Sequence, residues 1–112
     1  VDAVHRLKQN RDFRRVFNRG RSAAARRLVV YWCPNRLGTF RVGFSVSKKV
    51  GKAVERNRLK RLLRECFQLR QEELAGQSVD FVVVCRPAAA GAKFQELNEE
   101  LTKLLRKGKF MV

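Results

Sequence analysis

The chain has 112 residues, enough for one modest core but not two, so it is expected to be a single domain over residues 1–112. Lys and Arg number 26 against 10 Asp and Glu, a net charge of +16 that makes nucleic acid or an anionic membrane surface the expected partner class. No apolar stretch approaches the roughly 20 residues needed to span a bilayer, and the opening VDAVHRLKQNRDF lacks the apolar core of a signal peptide, so a cytoplasmic protein is expected.

The first element is expected to be a short helix from Asn10 to Asn18, capped by Asn10, with Asp12 in its first turn and Gly20 closing its far end. Phe13, Val16 and Phe17 share one face at i, i+3 and i+4 spacing, among Arg11, Arg14, Arg15 and Arg19. Arg21 to Cys33 follows as a strand region, with RRLVVYWC rich in β-branched and aromatic residues. Pro34 to Gly38 is a turn signal. Phe40 to Ser47 then alternates, with Phe40, Val42, Phe44 and Val46 on one face, and is expected to be a half-buried strand paired back in a hairpin.

Residues 48–64 read KKVGKAVERNRLKRLLR, eight basic side chains against the single acid Glu55. On a helical wheel at about 100° per residue, Arg56, Lys60, Arg64, Asn57 and Arg61 spread over one arc, while Leu59, Leu62, Leu63, Cys66 and Phe67 gather on another. One helix, from Ala53 to Leu74 and ending near Gly76, is thus expected to bury an apolar stripe and present a cationic face. Gly51 is expected to let the preceding loop turn tightly. Val79 to Cys85 (VDFVVVC) is a strand apolar on both faces. The last helix, Lys93 to Lys107, carries Phe94, Leu97, Leu101, Leu104 and Leu105 as its stripe. The order is α-β-β-(β)-α-β-α, an α/β or α+β sandwich.

The charge is unevenly placed. Residues 1–70 hold 20 basic and 4 acidic side chains and residues 71–112 hold 6 of each, so the N-terminal part is expected to form the binding surface. Lys48, Lys49 and Lys52 before the helix and Arg56, Arg58, Lys60, Arg61 and Arg64 on it suit a phosphate backbone, and the arginines add planar forks. Asn57 among them could hydrogen-bond a nucleotide or cap a backbone group; its residue type allows both. Phe13, Phe17 and Tyr31 lie in the same basic half, where rings can stack on single-stranded bases, although spacing alone favours Phe13 and Phe17 as residues that dock the first helix.

No catalytic constellation emerges. His5 is the only histidine, and the acids at Glu72, Glu73, Glu96, Glu99 and Glu100 lie outside the basic half, so a self-sufficient nuclease is disfavoured. Cys33, Cys66 and Cys85 form no Cys-x-x-Cys pair and sit in apolar segments, as reduced buried thiols do. No protein-bound metal is expected.

SVSKKVGKAVERNRLKRLLRE resembles the signature of the bacterial ribonuclease P protein subunit, an Arg-Asn-Arg motif followed by Lys-Arg. RLKQNRDFRRVF resembles that family's first helix, RVGFSVSKKVG its central strand and loop, and DFVVVCRP its fourth strand, so the likeness spans about Arg6 to Leu105. The resemblance implies an α-β-β-β-α-β-α fold with a mixed sheet and a left-handed βαβ crossover, similar to a ribosomal small-subunit protein domain; general handedness rules would give a right-handed one. It implies a protein that binds the ribonuclease P catalytic RNA and the 5′ leader of precursor tRNA, as a monomer in a 1:1 ribonucleoprotein. The RNA would hydrolyse the leader with Mg2+, and the chain alone would need no cofactor.

By position, Phe13, Phe17, Tyr31, Lys48, Lys52 and Arg86 match the family's leader-binding cleft, which reverses the reading of Phe13 and Phe17 from spacing. Lys49, Arg56, Asn57, Arg58, Lys60, Arg61 and Arg64 match the surface facing the catalytic RNA. Many relatives carry a second basic residue where Pro87 follows Arg86, so less cationic density is expected there, and without a basic tail at either end some terminal contacts are expected to be absent. The alternative is a ribosomal-type structural RNA-binding protein with no processing role.

Overall fold

The computed structural model describes residues 3–112. Its elements are α1 (Asn10–Arg19), β1 (Arg21–Ala24), β2 (Leu28–Pro34), β3 (Arg41–Val46), α2 (Ala53–Leu69), α3 (Gln71–Leu74), β4 (Val79–Cys85) and α4 (Phe94–Lys107). The four strands form one mixed sheet in the order β1-β2-β4-β3. The expected α+β order is thus present, with short 3-10 turns at Ala3–His5 and Pro87–Ala89.

The hairpin lies elsewhere than expected. β3 does not pair back on β2; β4 lies between them, antiparallel to β2 and parallel to β3. The antiparallel hairpin is made by β1 and β2, inside what reads in the sequence as a single strand region. The physical reason is burial. β4 is apolar on both faces and suits the centre of the sheet, whereas β3 carries Arg41, Gly43 and Ser45 on one face and tolerates an edge.

α2 and α4 cover one face of the sheet. Leu59, Leu63 and Phe67 of α2 and Leu97, Leu101, Leu104 and Leu105 of α4 close on Leu28, Val30, Phe40, Val42, Phe81 and Val83, so both apolar stripes fall as the wheel places them. The rings of Phe40, Phe67 and Phe81 pack mutually at 5.9–6.5 Å between centroids. Truncating any one of them to alanine would cost about 3–5 kcal/mol.

Three local expectations are corrected. Asn10 is the first helical residue of α1 and not its cap; Gln9 holds that position without a side-chain cap. α2 ends at Leu69 and does not run to Leu74. Arg70 breaks it (φ −106°, ψ 6°) because its buried guanidinium turns back to the Cys66 carbonyl at 2.8 Å and across to Asn98 Oδ1 at 2.6 Å and the Thr102 hydroxyl of α4. A free last-turn carbonyl thereby gains a donor and two helices are tied together. Gly51 has no left-handed φ; the space it leaves is taken by Glu55, whose Cβ and Cγ would lie 3.3 Å from an added methyl group.

Gly20 does close α1, through closeness of backbones and not through a left-handed turn. A Cβ there would lie 2.4 Å from the Val16 carbonyl oxygen and 2.5 Å from that of Trp32.

Candidate nucleic-acid interface

The second face of the sheet is only partly covered, and α1 decides which part. A carboxylate inside an apolar strand must find donors, and Asp80 of β4, with 0% exposure, finds four. Arg41 donates from Nε at 2.9 Å and from its terminal nitrogen at 2.7 Å, Asn35 donates at 2.8 Å, and Arg15 of α1 pairs with the same carboxylate. Arg41 also lies 3.6 Å from Asp12 of α1. Burial alone would push the Asp80 carboxyl up, but the Arg41 and Asn35 hydrogen bonds and the Arg41 and Arg15 charges outweigh it and hold it below the usual carboxylate range. α1 is thus pinned over the end of the sheet where β3 and β4 begin.

That placement divides the α1 face. Val16 is fully buried against Leu7, Cys33 and Val82. Phe13 and Tyr31 are half-buried beside them, and Phe17 remains 40% exposed with its ring edge-on to Tyr31 at 4.9 Å between centroids. The row Val29–Val84–Ser45, next along the sheet, stays half-exposed. The three aromatic residues therefore lie on one face of the sheet, in the cleft-like angle between α1 and strands β2 and β4, Phe13 and Tyr31 on a shared apolar cluster and Phe17 against Tyr31.

Lys48 and Arg86 leave the sheet at the same end, because parallel β3 and β4 finish together at Val46 and Cys85. Lys48, Lys49 and Lys52 are exposed, the loop being anchored by buried Val50. Arg86 is exposed, yet one of its guanidinium nitrogens donates to the Ala25 carbonyl at 2.9 Å.

On α2 the cationic arc is displayed as the wheel requires. Asn57, Arg61 and Arg64 are exposed; Arg56 and Lys60, at the border with the apolar stripe, are half-buried, and Arg56 Nε is buried without a partner. Arg58 differs. It sits on the opposite flank, where its guanidinium donates to both oxygens of Glu55 at 2.6 and 2.9 Å, and Glu55 also accepts the Gly91 N–H at 2.6 Å. Those hydrogen bonds lower the Glu55 carboxyl to about 2. Arg15, Arg27, Arg41 and Arg58 are the ion-paired arginines among the described residues, and the rest of the basic surface is left for an outside anion.

The thiols take no part in this surface. All three cysteines are free and buried. Burial pushes Cys66 up to about 11 and Cys85 up to about 12, with the Lys60 charge opposing the shift at Cys85. Among the described residues no group of three His, Cys, Asp or Glu side chains could hold a metal ion, and no helix is long and apolar enough to cross a membrane.

Sequence reasoning missed Asp80 and its partners. The signal was present, since an acid within a run apolar on both faces demands buried cations. It also missed Arg6, Lys8 and Phe44, which line a groove that only the folded chain creates.

The family model described as Ribonuclease P matches residues 2–109. A ribonuclease P protein component of Caldanaerobacter subterraneus subsp. tengcongensis is 47% identical over 106 residues, covering 95% of this chain and 90% of the relative. The solved RNase P protein of Staphylococcus aureus superposes with a TM-score of 0.89 at 37% identity, covering 96% of this chain and 98% of that one. That of Thermotoga maritima gives 0.82 at 33% identity, covering 91% and 96%.

Proposed function

This chain belongs to the ribonuclease P protein family, and we propose that it is the RNA-binding subunit that helps a catalytic RNA remove the 5′ leader from precursor tRNA. In this reading the single-stranded leader lies in the cleft, with bases against Phe17, Tyr31 and Phe13 and phosphates near Lys48, Lys52 and Arg86. The α2 surface, with Lys49 beside it and Arg56, Asn57, Lys60, Arg61 and Arg64 along it, faces the catalytic RNA, while Arg58, turned to the opposite flank and held by Glu55, braces the helix. Asn57, exposed between two arginines, is free to hydrogen-bond a nucleotide.

The observation that carries the reading is the division of one small chain into two unlike basic surfaces, an aromatic cleft and a helix face. Such a molecule can hold two RNA segments at once. Magnesium ions would supply the hydrolytic chemistry, and the chain's part in this reading is to bind, orient and screen charge. One copy per catalytic RNA, in the cytoplasm, fits this role.

Reconstitution with a bacterial ribonuclease P RNA tests it. The chain freed of RNA should cut nothing, yet lower the magnesium requirement of the RNA and favour precursor over mature tRNA. Cleavage by the RNA-free chain would overturn the division of labour. Copurification from cells with ribosomal RNA, and not with a ribonuclease P RNA, would favour a structural ribosomal-type role.

A further inference from the structure

β3 is an edge strand, and only its start is covered. Arg6 bridges Val42, and the Leu7 N–H donates to the Val42 carbonyl at 3.0 Å. Beyond Val42 the edge has no strand partner among the described residues. Since alternate residues of a strand turn their backbone groups to the same side, Phe44 directs its N–H and carbonyl outward as Val42 does.

A groove of about 260 Å³ opens at this edge. Arg6 and Lys8 line it on one side and Lys60 and Arg64 of α2 on the other, with Phe13 and Phe44 between them and no acidic residue. None of the four cations has an ion-pair partner among the described residues, unlike Arg15, Arg27, Arg41 and Arg58. Phe13, from α1, packs on one face of the sheet and Phe44, from β3, on the other, so the groove wraps around the β3 edge. Gly43 makes that possible: a Cβ there would lie 2.3 Å from the tip of the Phe13 ring.

We propose that this groove is a nucleotide subsite that takes one nucleoside phosphate of single-stranded RNA, its phosphate among Arg6, Lys8, Lys60 and Arg64 and its base against Phe13 or Phe44. The volume is close to the lower end of small-ligand sites, roughly 300 Å³, which suits a single nucleotide and no more. An edge strand could instead accept an extended peptide, but four unpaired cations with no acid favour a phosphate. The groove joins the cleft face to the α2 face, so a strand leaving the cleft would round β3 and arrive at the helix. That path rests on the proposed function; the subsite itself rests on the groove.

The test is an amide-resolved NMR titration of the full chain with the 5′-phosphorylated dinucleotide pUpU and, separately, with inorganic phosphate. pUpU should shift the amides of Arg6–Lys8, Gly43 and Phe44. Arg6→Ala with Lys8→Ala should weaken pUpU binding there about tenfold, and Lys103→Ala, which removes an exposed cation on α4 away from the groove, should leave it within twofold. Gly43→Ala, which displaces the Phe13 ring, should weaken pUpU and spare inorganic phosphate. Unchanged affinity in the double variant, shifts confined to the Phe17–Tyr31 cleft, equal affinity for phosphate and pUpU, or preference for an extended peptide would each overturn the subsite. Loss of precursor preference in Phe17→Ala is read separately on tRNA, so the leader reading can fail while the subsite stands.

Discussion

Arg41 grips Asp80 at two points, Nε to Oδ1 at 2.9 Å and a terminal nitrogen to Oδ2 at 2.7 Å, beneath the helix that forms the wall of the cleft. Because Arg15 of α1 shares the carboxylate, the pair sets where α1 lies as well as holding β3 to β4. Asp80→Asn should cost about 3 kcal/mol, the lower end for removing one partner of a buried pair, since both guanidiniums are partly exposed. Urea unfolding at fixed salt checks the value. The Asp80 carboxyl is depressed in the folded state, so its contribution is fully present above the unfolded value of about 3.9 and is lost as pH falls through the lower folded value. The acid limb of the wild-type stability curve should therefore flatten in the variant.

Phe17 is 40% exposed, and its ring lies edge-on to Tyr31. Phe17→Ala should weaken binding of leader-bearing precursor by about 1–3 kcal/mol if a base stacks there, with mature tRNA unaffected. Equal affinities of wild type and a folded variant for precursor would return Phe17 to a docking role.

Arg58 and Arg61 are both in the Arg-Asn-Arg…Arg run, yet Arg58 is held by Glu55 while Arg61 is exposed and unpaired. Arg61→Ala should reduce the salt slope of RNA binding by about 0.7–0.9 for each phosphate it no longer neutralises. Arg58→Ala should leave the slope nearly unchanged and lower stability by up to about 1 kcal/mol, as expected of a half-exposed pair. Glu55 titrates at about 2 in the folded state, so this pair contributes fully above the unfolded value of about 4.3 and is lost only as pH falls through about 2. Plots of log affinity against log salt at pH 5 and 7 should accordingly rank the variants identically.

Cys66 and Cys85 are pushed up to about 11 and about 12 by burial, so at pH 8 almost no thiolate exists at either. Iodoacetamide should leave both unlabelled in the native protein and modify both in urea, with mass spectrometry as the readout. Rapid native labelling of Cys66 would mean that α2 opens locally.

Much of the interface is legible in the sequence. The wheel of residues 53–69 separates Leu59, Leu63, Cys66 and Phe67 from Asn57, Arg61 and Arg64, because helical period and burial are local consequences of residue order. The role of Phe17 is not legible from spacing. Val16 and Phe17 are neighbours on the same apolar face, and only the angle at which α1 sits buries one and exposes the other. Arg70 is unreadable for the same reason: its partners, Asn98 and Thr102, are about thirty residues away in the chain.

The sequence by itself determined the coarse element order, the apolar stripes and the basic bias of residues 1–70, since each depends on residue type and short-range period. Tertiary structure decided which strand takes the centre of the sheet, which arginines are spent on internal carboxylates, and where aromatic rings stay open to solvent. β4 lies between β2 and β3 because a strand apolar on both faces is stable only when covered on both, and that long-range insertion fixes Asp80, α1 and the groove at the β3 edge together.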